Sequence, residues 1–203
     1  VWIQCEDLTV VAGGKIEVSE CGYLAKEKPA SGILDGYGPG RARSCYGIGA
    51  AHGGIGGFNV WNASNGESFT RTKPAFADYL YDDPTAPVEP GSSGRTSQWK
   101  KGGSGGGAVR IEATGRVTVN GSVLANGGDA PGGTYSKYSH GTGGSGGSVY
   151  IICKTFAGAS GVIRAEGGDG HMVLYRPQTA AGAWLDSTWG YDFPDDLGDM
   201  AGG

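Results

Sequence analysis

The chain lacks most of what would commit it to a familiar chemistry. Its 203 residues include only 3 histidines and 4 cysteines, and no two cysteines form a CxxC pair. A zinc site of ordinary ligand spacing is therefore not expected. No run approaches the roughly 18 apolar residues of a membrane-crossing helix, so no membrane span is expected. Positive charge is scarce: 16 Lys and Arg against 20 Asp and Glu give a formal net charge of −4, which argues against a nucleic-acid-binding surface. Arg41 with Arg43, and Lys100-Lys101 farther on, are the local basic groupings and read as solvated loop charges. Proline, at 9 residues, is too rare and glycine too irregular in spacing for collagen. The chain begins at Val1, inside an expected strand, and reads as a processed or trimmed piece of a longer precursor.

What the chain has in excess is glycine, 42 residues of it, where average usage predicts about 7%. Disorder fits poorly, because 38% of residues are hydrophobic and 10% aromatic, and the valines and isoleucines alternate in order. Glycine is therefore expected to do geometric work, supplying positive φ and close backbone approach at turns between strands.

One strand-length pattern recurs three times. Val1-Trp2-Ile3-Gln4-Cys5 leads through Lys15-Ile16-Glu17-Val18 to Cys21-Gly22; Val109-Arg110-Ile111-Glu112-Ala113 leads through Ser122-Val123-Leu124-Ala125 to Asn126-Gly127-Gly128-Asp129. Val149-Tyr150-Ile151-Ile152-Cys153 leads through Val162-Ile163-Arg164-Ala165 to Glu166-Gly167-Gly168-Asp169, 40 positions after the second copy. Each strand alternates with period two, as a half-buried strand requires: Val109, Ile111 and Ala113 inward, Arg110 and Glu112 outward. Repetition of one supersecondary unit is the signature of a solenoid, in which each unit buries its apolar face against its neighbours. The expected fold is all-β, parallel β-helix or solenoid-like, with glycine-rich turns and a thin aliphatic core between two facing parallel sheets. A glycine-rich solenoid domain is expected over 1–170, with a long loop insertion at about 24–101 packed on one flank, Phe58-Asn59-Val60-Trp61 being a short strand within it. Residues 171–203 are expected to form a C-terminal strand (His171–Tyr175) and an aromatic, acidic tail.

The glycine clusters carry a resemblance. Gly36-Tyr37-Gly38-Pro39-Gly40, then Gly49-Ala50-Ala51-His52-Gly53-Gly54-Ile55-Gly56-Gly57, precede Tyr79, Pro84 and Gly91-Ser92-Ser93-Gly94; Gly102-Gly103-Ser104-Gly105-Gly106-Gly107-Ala108-Val109 then leads to Asn126-Gly127-Gly128-Asp129. This order, over roughly Cys5 to Asp169, resembles the glycine-rich extracellular parallel β-helix repeat proteins, with GHGG-type loops, of protist and bacterial cell surfaces. The resemblance implies a solenoid and a surface location and brings no active site. The chain departs from that pattern after the last repeat, where Met172-Val173-Leu174-Tyr175-Arg176-Pro177 and the aromatic tail stand in place of a glycine run.

Polysaccharide cleavage on a β-helix needs clustered carboxylates or a positioned base on one face. The outward residues are instead mixed (Gln4, Glu17, Arg110, Glu112, Leu124, Tyr150, Ile152, Arg164), so no catalytic site and no enzyme activity is expected. His52 and His140 each open a glycine run and read as fillers of a loop slot that bond exposed backbone, not as metal ligands. The Gly-Gly-Asp turns recur too rarely for a calcium-binding β-roll, and their aspartates read as turn caps. No cofactor is expected.

Cys21 and Cys45 are the better candidate disulfide, while Cys5 and Cys153 share one inward position across repeats and read as small buried hydrophobes. Asn62 and Asn120 begin Asn-X-Ser sequons compatible with a secreted glycoprotein. Trp184, Trp189, Tyr191 and Phe193 lie among aspartates in a tail that either caps the last coil or docks on a neighbouring subunit. The leading expectation is a structural subunit of an extracellular fibre or cell-surface appendage, with copies of itself as partner. The alternative is an adhesion or glycan-binding module, with Trp61, Tyr79, Tyr81 and Trp99 as sugar-stacking rings.

Overall fold

The structure, a computed structural model, describes residues 1–43, 49–54, 56, 80–98, 100–130 and 141–170. Among these the regular elements are all strands. The first repeat gives β1 (Trp2–Cys5), β2 (Leu8–Val10) and β3 (Lys15–Glu17); the insertion gives β4 (Ile33–Leu34) and β5 (Thr96–Ser97), an antiparallel pair. The second repeat gives β6 (Ala108–Ala113), β7 (Arg116–Val119) and β8 (Ser122–Leu124), and the third gives β9 (Ser148–Ile152), β10 (Thr155–Ala157) and β11 (Val162–Arg164).

The nine repeat strands form three parallel sheets of three strands, and each sheet takes one strand from each repeat with the second repeat in the middle: β1-β6-β9, β2-β7-β10 and β3-β8-β11. The registers align like with like, so that Ile3, Ile111 and Ile151 lie side by side, as do Ile16, Val123 and Ile163. The three equivalent rows expected from the sequence are thus observed. The expectation of two facing sheets is corrected: each repeat carries a third strand, and β2, β7 and β10 make a sheet of their own. Their brevity hid them. They have three or four residues, and each follows its predecessor after only a two-residue corner (Glu6-Asp7, Thr114-Gly115, Cys153-Lys154). So short a stretch of alternation does not stand out as a strand.

One apolar cluster collects residues of all three sheets. Val109, Ile111 and Ala113 of β6, Val117 and Val119 of β7, and Val123 with Ala125 at the end of β8 are buried, with Val10 and Val18 beside them. The second repeat supplies most of the buried members because it has neighbours on both sides. Ile3, Cys5 and Ile16 from the first repeat, and Val149, Ile151 and Cys153 from the third, pack on the same cluster but remain partly exposed. Polar side chains tie the repeats as well. Asn120, Asn126 and Asp129 accept, through their side-chain oxygens, the amides of Ala159, Glu166 and Asp169. Asp129 therefore bonds one repeat onward.

Beside the sheets lies a second structure made of glycine-rich segments bonded laterally through their backbones. In the segment 102–107, the amides of Gly103 and Gly106 donate to the carbonyls of Thr142 and Ser145, at 3.0 and 2.9 Å. The carbonyls of the same two glycines accept from Gly94 and Gly91, at 2.8 and 2.7 Å. Between them, Gly105 exchanges bonds with Gly22 and Tyr23, and Ser104 accepts from Gly128. Residues three apart therefore face the same neighbour, the period of a polyproline II-type helix, whose backbone bonds point outward in every direction. The same period recurs in 142–147, where Gly144 and Gly147 donate to Gly128 and Ala125.

A chain that bonds on all sides has no room for side chains. A Cβ on Gly103 would lie 1.6 Å from the carbonyl oxygen of Gly128, and one on Gly147 would lie 1.9 Å from that of Gly107. Neither residue has a positive φ; among the described glycines only Gly13, Gly32, Gly38 and Gly158 do. Among the described residues, glycine serves chiefly close approach between segments, and only secondarily the turns. The insertion is correspondingly not a set of flanking loops alone, since Gly91 to Arg95 bond to both 102–107 and 142–147. Where a side chain is allowed it is a small hydroxyl that bonds a neighbouring amide: Ser145 Oγ accepts from Ser92 N, and Thr142 Oγ1 from Arg95 N, both at 2.8 Å.

Ile111→Ala should lower unfolding free energy by about 2–5 kcal/mol through the cavity it leaves. Gly103→Ala, which removes nothing, should cost at least about 1–3 kcal/mol by forcing two backbones apart. Denaturant melts of both variants check this, and an unchanged Gly103→Ala midpoint would contradict the packing described.

Candidate functional site

Alternation in β1, β6 and β9 turns Trp2, Arg110 and Tyr150 outward as one row and Gln4, Glu112 and Ile152 as the next. The Arg110 guanidinium carbon lies 5.6 Å from the ring centre of Trp2 and 5.6 Å from that of Tyr150, a cation–π ladder along the row. Arg110 also bonds Glu112 at 2.7 Å, and the Gln4 amide donates to the other carboxylate oxygen at 2.8 Å. Gln4 and then Arg110 hold the Glu112 carboxyl below its ordinary pKa. This solvent-facing network orders the outer face of the sheet. It presents no second carboxylate opposite Glu112.

A different cluster is built around His52, which is 4% exposed. Its Nδ1 lies 3.0 Å from the carbonyl of Gly146 and its Nε2 lies 3.3 Å from the Asp82 carboxylate. Tyr81 packs on the imidazole with ring centres 4.5 Å apart, and its hydroxyl donates to the Pro90 carbonyl at 2.6 Å and accepts from Ser92. Burial pushes the Tyr81 phenol up to about 12. Asp82 has a positive φ of 75°, which aspartate tolerates better than most residues. From there its carboxylate gathers the amides of Val88 and Glu89 and the Ser148 hydroxyl. Burial opposes the Asp82 charge, but the bonds from Glu89, Asp83, Ser148 and Val88 outweigh it and lower the pKa.

The cluster contains a Ser, a His and an Asp, yet its geometry is not that of a nucleophile with its base. Ser148 Oγ lies 2.6 Å from the Glu89 carbonyl and 3.0 Å from Asp82, so its proton points at fixed acceptors and not at an imidazole. Both His52 nitrogens are held by other partners. The cluster is a brace that fastens residues 80–90 to the glycine segment at Gly146 and to the start of β9. The expected slot-filling role of His52 matches its bond to Gly146; the Asp82 contact was not expected, because nothing in the local sequence ties Asp82 to a histidine 30 residues earlier.

The remaining expected site residues fall as follows. Cys21 is exposed and, like Cys5 and Cys153, a free thiol; Cys45, its expected partner, lies outside the described residues, as do Asn62, Trp61, Tyr79, Trp99, His140, the expected strands at 58–61 and 171–175, and Trp184, Trp189, Tyr191 and Phe193. Asn120 is at the corner after β7, half-buried, with its side chain on Ala159 N. Tyr81 is half-buried, with one ring face on His52 and its hydroxyl engaged. Among the described residues no three His, Cys, Asp or Glu side chains converge as a metal site would require, and no helix is long and apolar enough to cross a membrane.

The third feature is the state of the outer strands. Within the described residues, β1, β2 and β3 at one end and β9, β10 and β11 at the other each pair on one side only. Apolar side chains stand open there: Trp2 is 64% exposed at one end, and Phe156 is 55% and Ile163 42% exposed at the other. Comparison of the chain with protein-family models, curated proteins and solved structures finds no match.

The brace makes a pH prediction. The Asp82 pKa is lower folded than unfolded, so its stabilisation is complete above the unfolded value of about 3.9 and drains away as pH falls below it. Asp82→Asn should destabilise the protein by about 1–3 kcal/mol at pH 7 and flatten the acid side of its stability profile. Thermal melts between about pH 2 and pH 7, the range that brackets this titration, check this.

Proposed function

We propose that the three sheets are the faces of a parallel β-solenoid, buttressed by the glycine-rich segments. We further propose that the protein is a structural subunit of an extracellular fibre or cell-surface appendage that associates with copies of itself. The observation that carries this reading is the set of in-register rows that, within the described residues, stop at both ends with strand edges unpaired and apolar side chains half-exposed. Open parallel edges template further strands, and a repeat with a neighbour on one side alone leaves its apolar face incompletely buried. The chemistry of the surface also favours architecture. The Arg110 and Glu112 charges of the outer face are engaged with each other, and the buried His52 cluster serves as a brace. On this reading the tail with Trp184, Trp189, Tyr191 and Phe193 caps the end or links subunits, and Asn62 and Asn120 carry glycans. The alternative, a glycan-binding module, has less support, since Tyr81 is spent on His52 and Pro90.

Sedimentation velocity over a wide concentration range, with negative-stain microscopy of the same samples, tests the proposal. Elongated species that lengthen with concentration are expected. A monodisperse particle of 20.6 kDa at every concentration would overturn it.

A further inference from the structure

We infer that a second copy of this chain docks end to end, its first repeat adding in register to the third repeat of the copy before it. This rests on the self-associating reading above and assigns the joint that would carry it. The rows name the contacts. In the sheet β3-β8-β11, Glu17, Leu124 and Arg164 form one row. Continuing that row by one strand sets Arg164 beside Glu17 of the next copy, opposite charges on neighbouring strands. Corner bonds from Gly115 N to the Glu6 carbonyl and from Lys154 N to the Gly115 carbonyl define a second row. Its continuation sets Lys154 beside Glu6. Glu166, which already pairs with Arg164 at 3.6 Å, lies in a row with Asn126 and Ser19, whose continuation sets it beside Ser19 of the next copy.

The apolar rows agree with the charges. Ile163 would meet Ile16 and gain a neighbour on the side where none lies among the described residues. Arg110 covers one face each of Trp2 and Tyr150. Continuing the row brings Tyr150 beside the next copy's Trp2, as an aromatic pair. Each of these pairings joins the two different ends, so the association is head-to-tail and open, which builds a filament and not a closed dimer.

The inward row that begins with Cys5 and passes Ala113 reaches Cys153, directly after β9. In the joint, Cys153 would lie one parallel-strand spacing, about 4.8 Å, from Cys5 of the next copy, within the reach of a disulfide. The two thiols thus report the joint without being needed for it.

The test uses the full chain with Cys21→Ser and Cys45→Ser, so that only Cys5 and Cys153 remain. Copper-phenanthroline with dioxygen oxidises two thiols to one disulfide while oxygen takes up the electrons. It should give a ladder of covalent multimers that disappears in Cys5→Ser and in Cys153→Ser. In the native chain, Glu17→Arg and Arg164→Glu should each raise the concentration for half-assembly by about fivefold, the scale of exchanging an attractive for a repulsive cross-strand pair, and the double reversal should restore it. Both side chains are exposed, and circular dichroism of the dilute variants confirms folding. Filaments that form without Cys5–Cys153 cross-links and ignore both reversals, including filaments that instead require residues 171–203, would overturn this joint while leaving the structural reading intact. A chain that never assembles would remove both.

Discussion

The structure depends on backbones approaching closely enough to bond where no side chain intervenes. In 102–107 nearly every peptide group is bonded to a different segment, and the spacing leaves less than the width of a Cβ at Gly103. A buried unpaired amide or carbonyl is costly, so a stack of extended segments survives only if each finds partners on several sides. Glycine meets that requirement at an entropic cost of roughly 0.5–1 kcal/mol per residue relative to alanine. The many lateral bonds and the buried serine and threonine hydroxyls offset it. No buried side-chain polar atom among the described residues lacks a partner.

The sheets solve a complementary problem. Their buried apolar side chains are small, Val and Ala with Ile111, which suits a close-packed core shared by three short-stranded sheets. The two parts are joined in sequence: each glycine segment runs directly into the first strand of a repeat, at Ala108 and at Ser148. The His52 brace sits at the second of those junctions, where Ser148 bonds Asp82 and Glu89. Sheet register and glycine register are therefore set together.

What could be read from the chain follows from which physical signals are local. Period-two alternation in Val109–Ala113 and Val149–Cys153 reports burial directly, so the rows through Ile111 and Val123 were legible. The middle sheet was not, because Leu8–Val10 and Thr155–Ala157 are too short to show a period. Glycine content announced unusual geometry but not which kind, since a positive φ and a close approach demand the same residue. Only the partner across the gap distinguishes them, and for Gly103 that partner is Gly128, nowhere near it in local pattern. The bond between His52 and Asp82 was hidden for the same reason. The candidate residues Cys45, Asn62 and Trp184 to Phe193 lie outside the described residues.

The three-residue period of the glycine segments has a consequence for how such a chain can change length. Each peptide group is aimed at one neighbour, and the next is turned by a third of a revolution. Losing or gaining a single glycine within 102–107 would redirect every later carbonyl toward the wrong segment, whereas a change of three would return each to its former bearing. Length variation in these stretches should therefore come in triplets, a reading frame imposed by geometry and not by the genetic code.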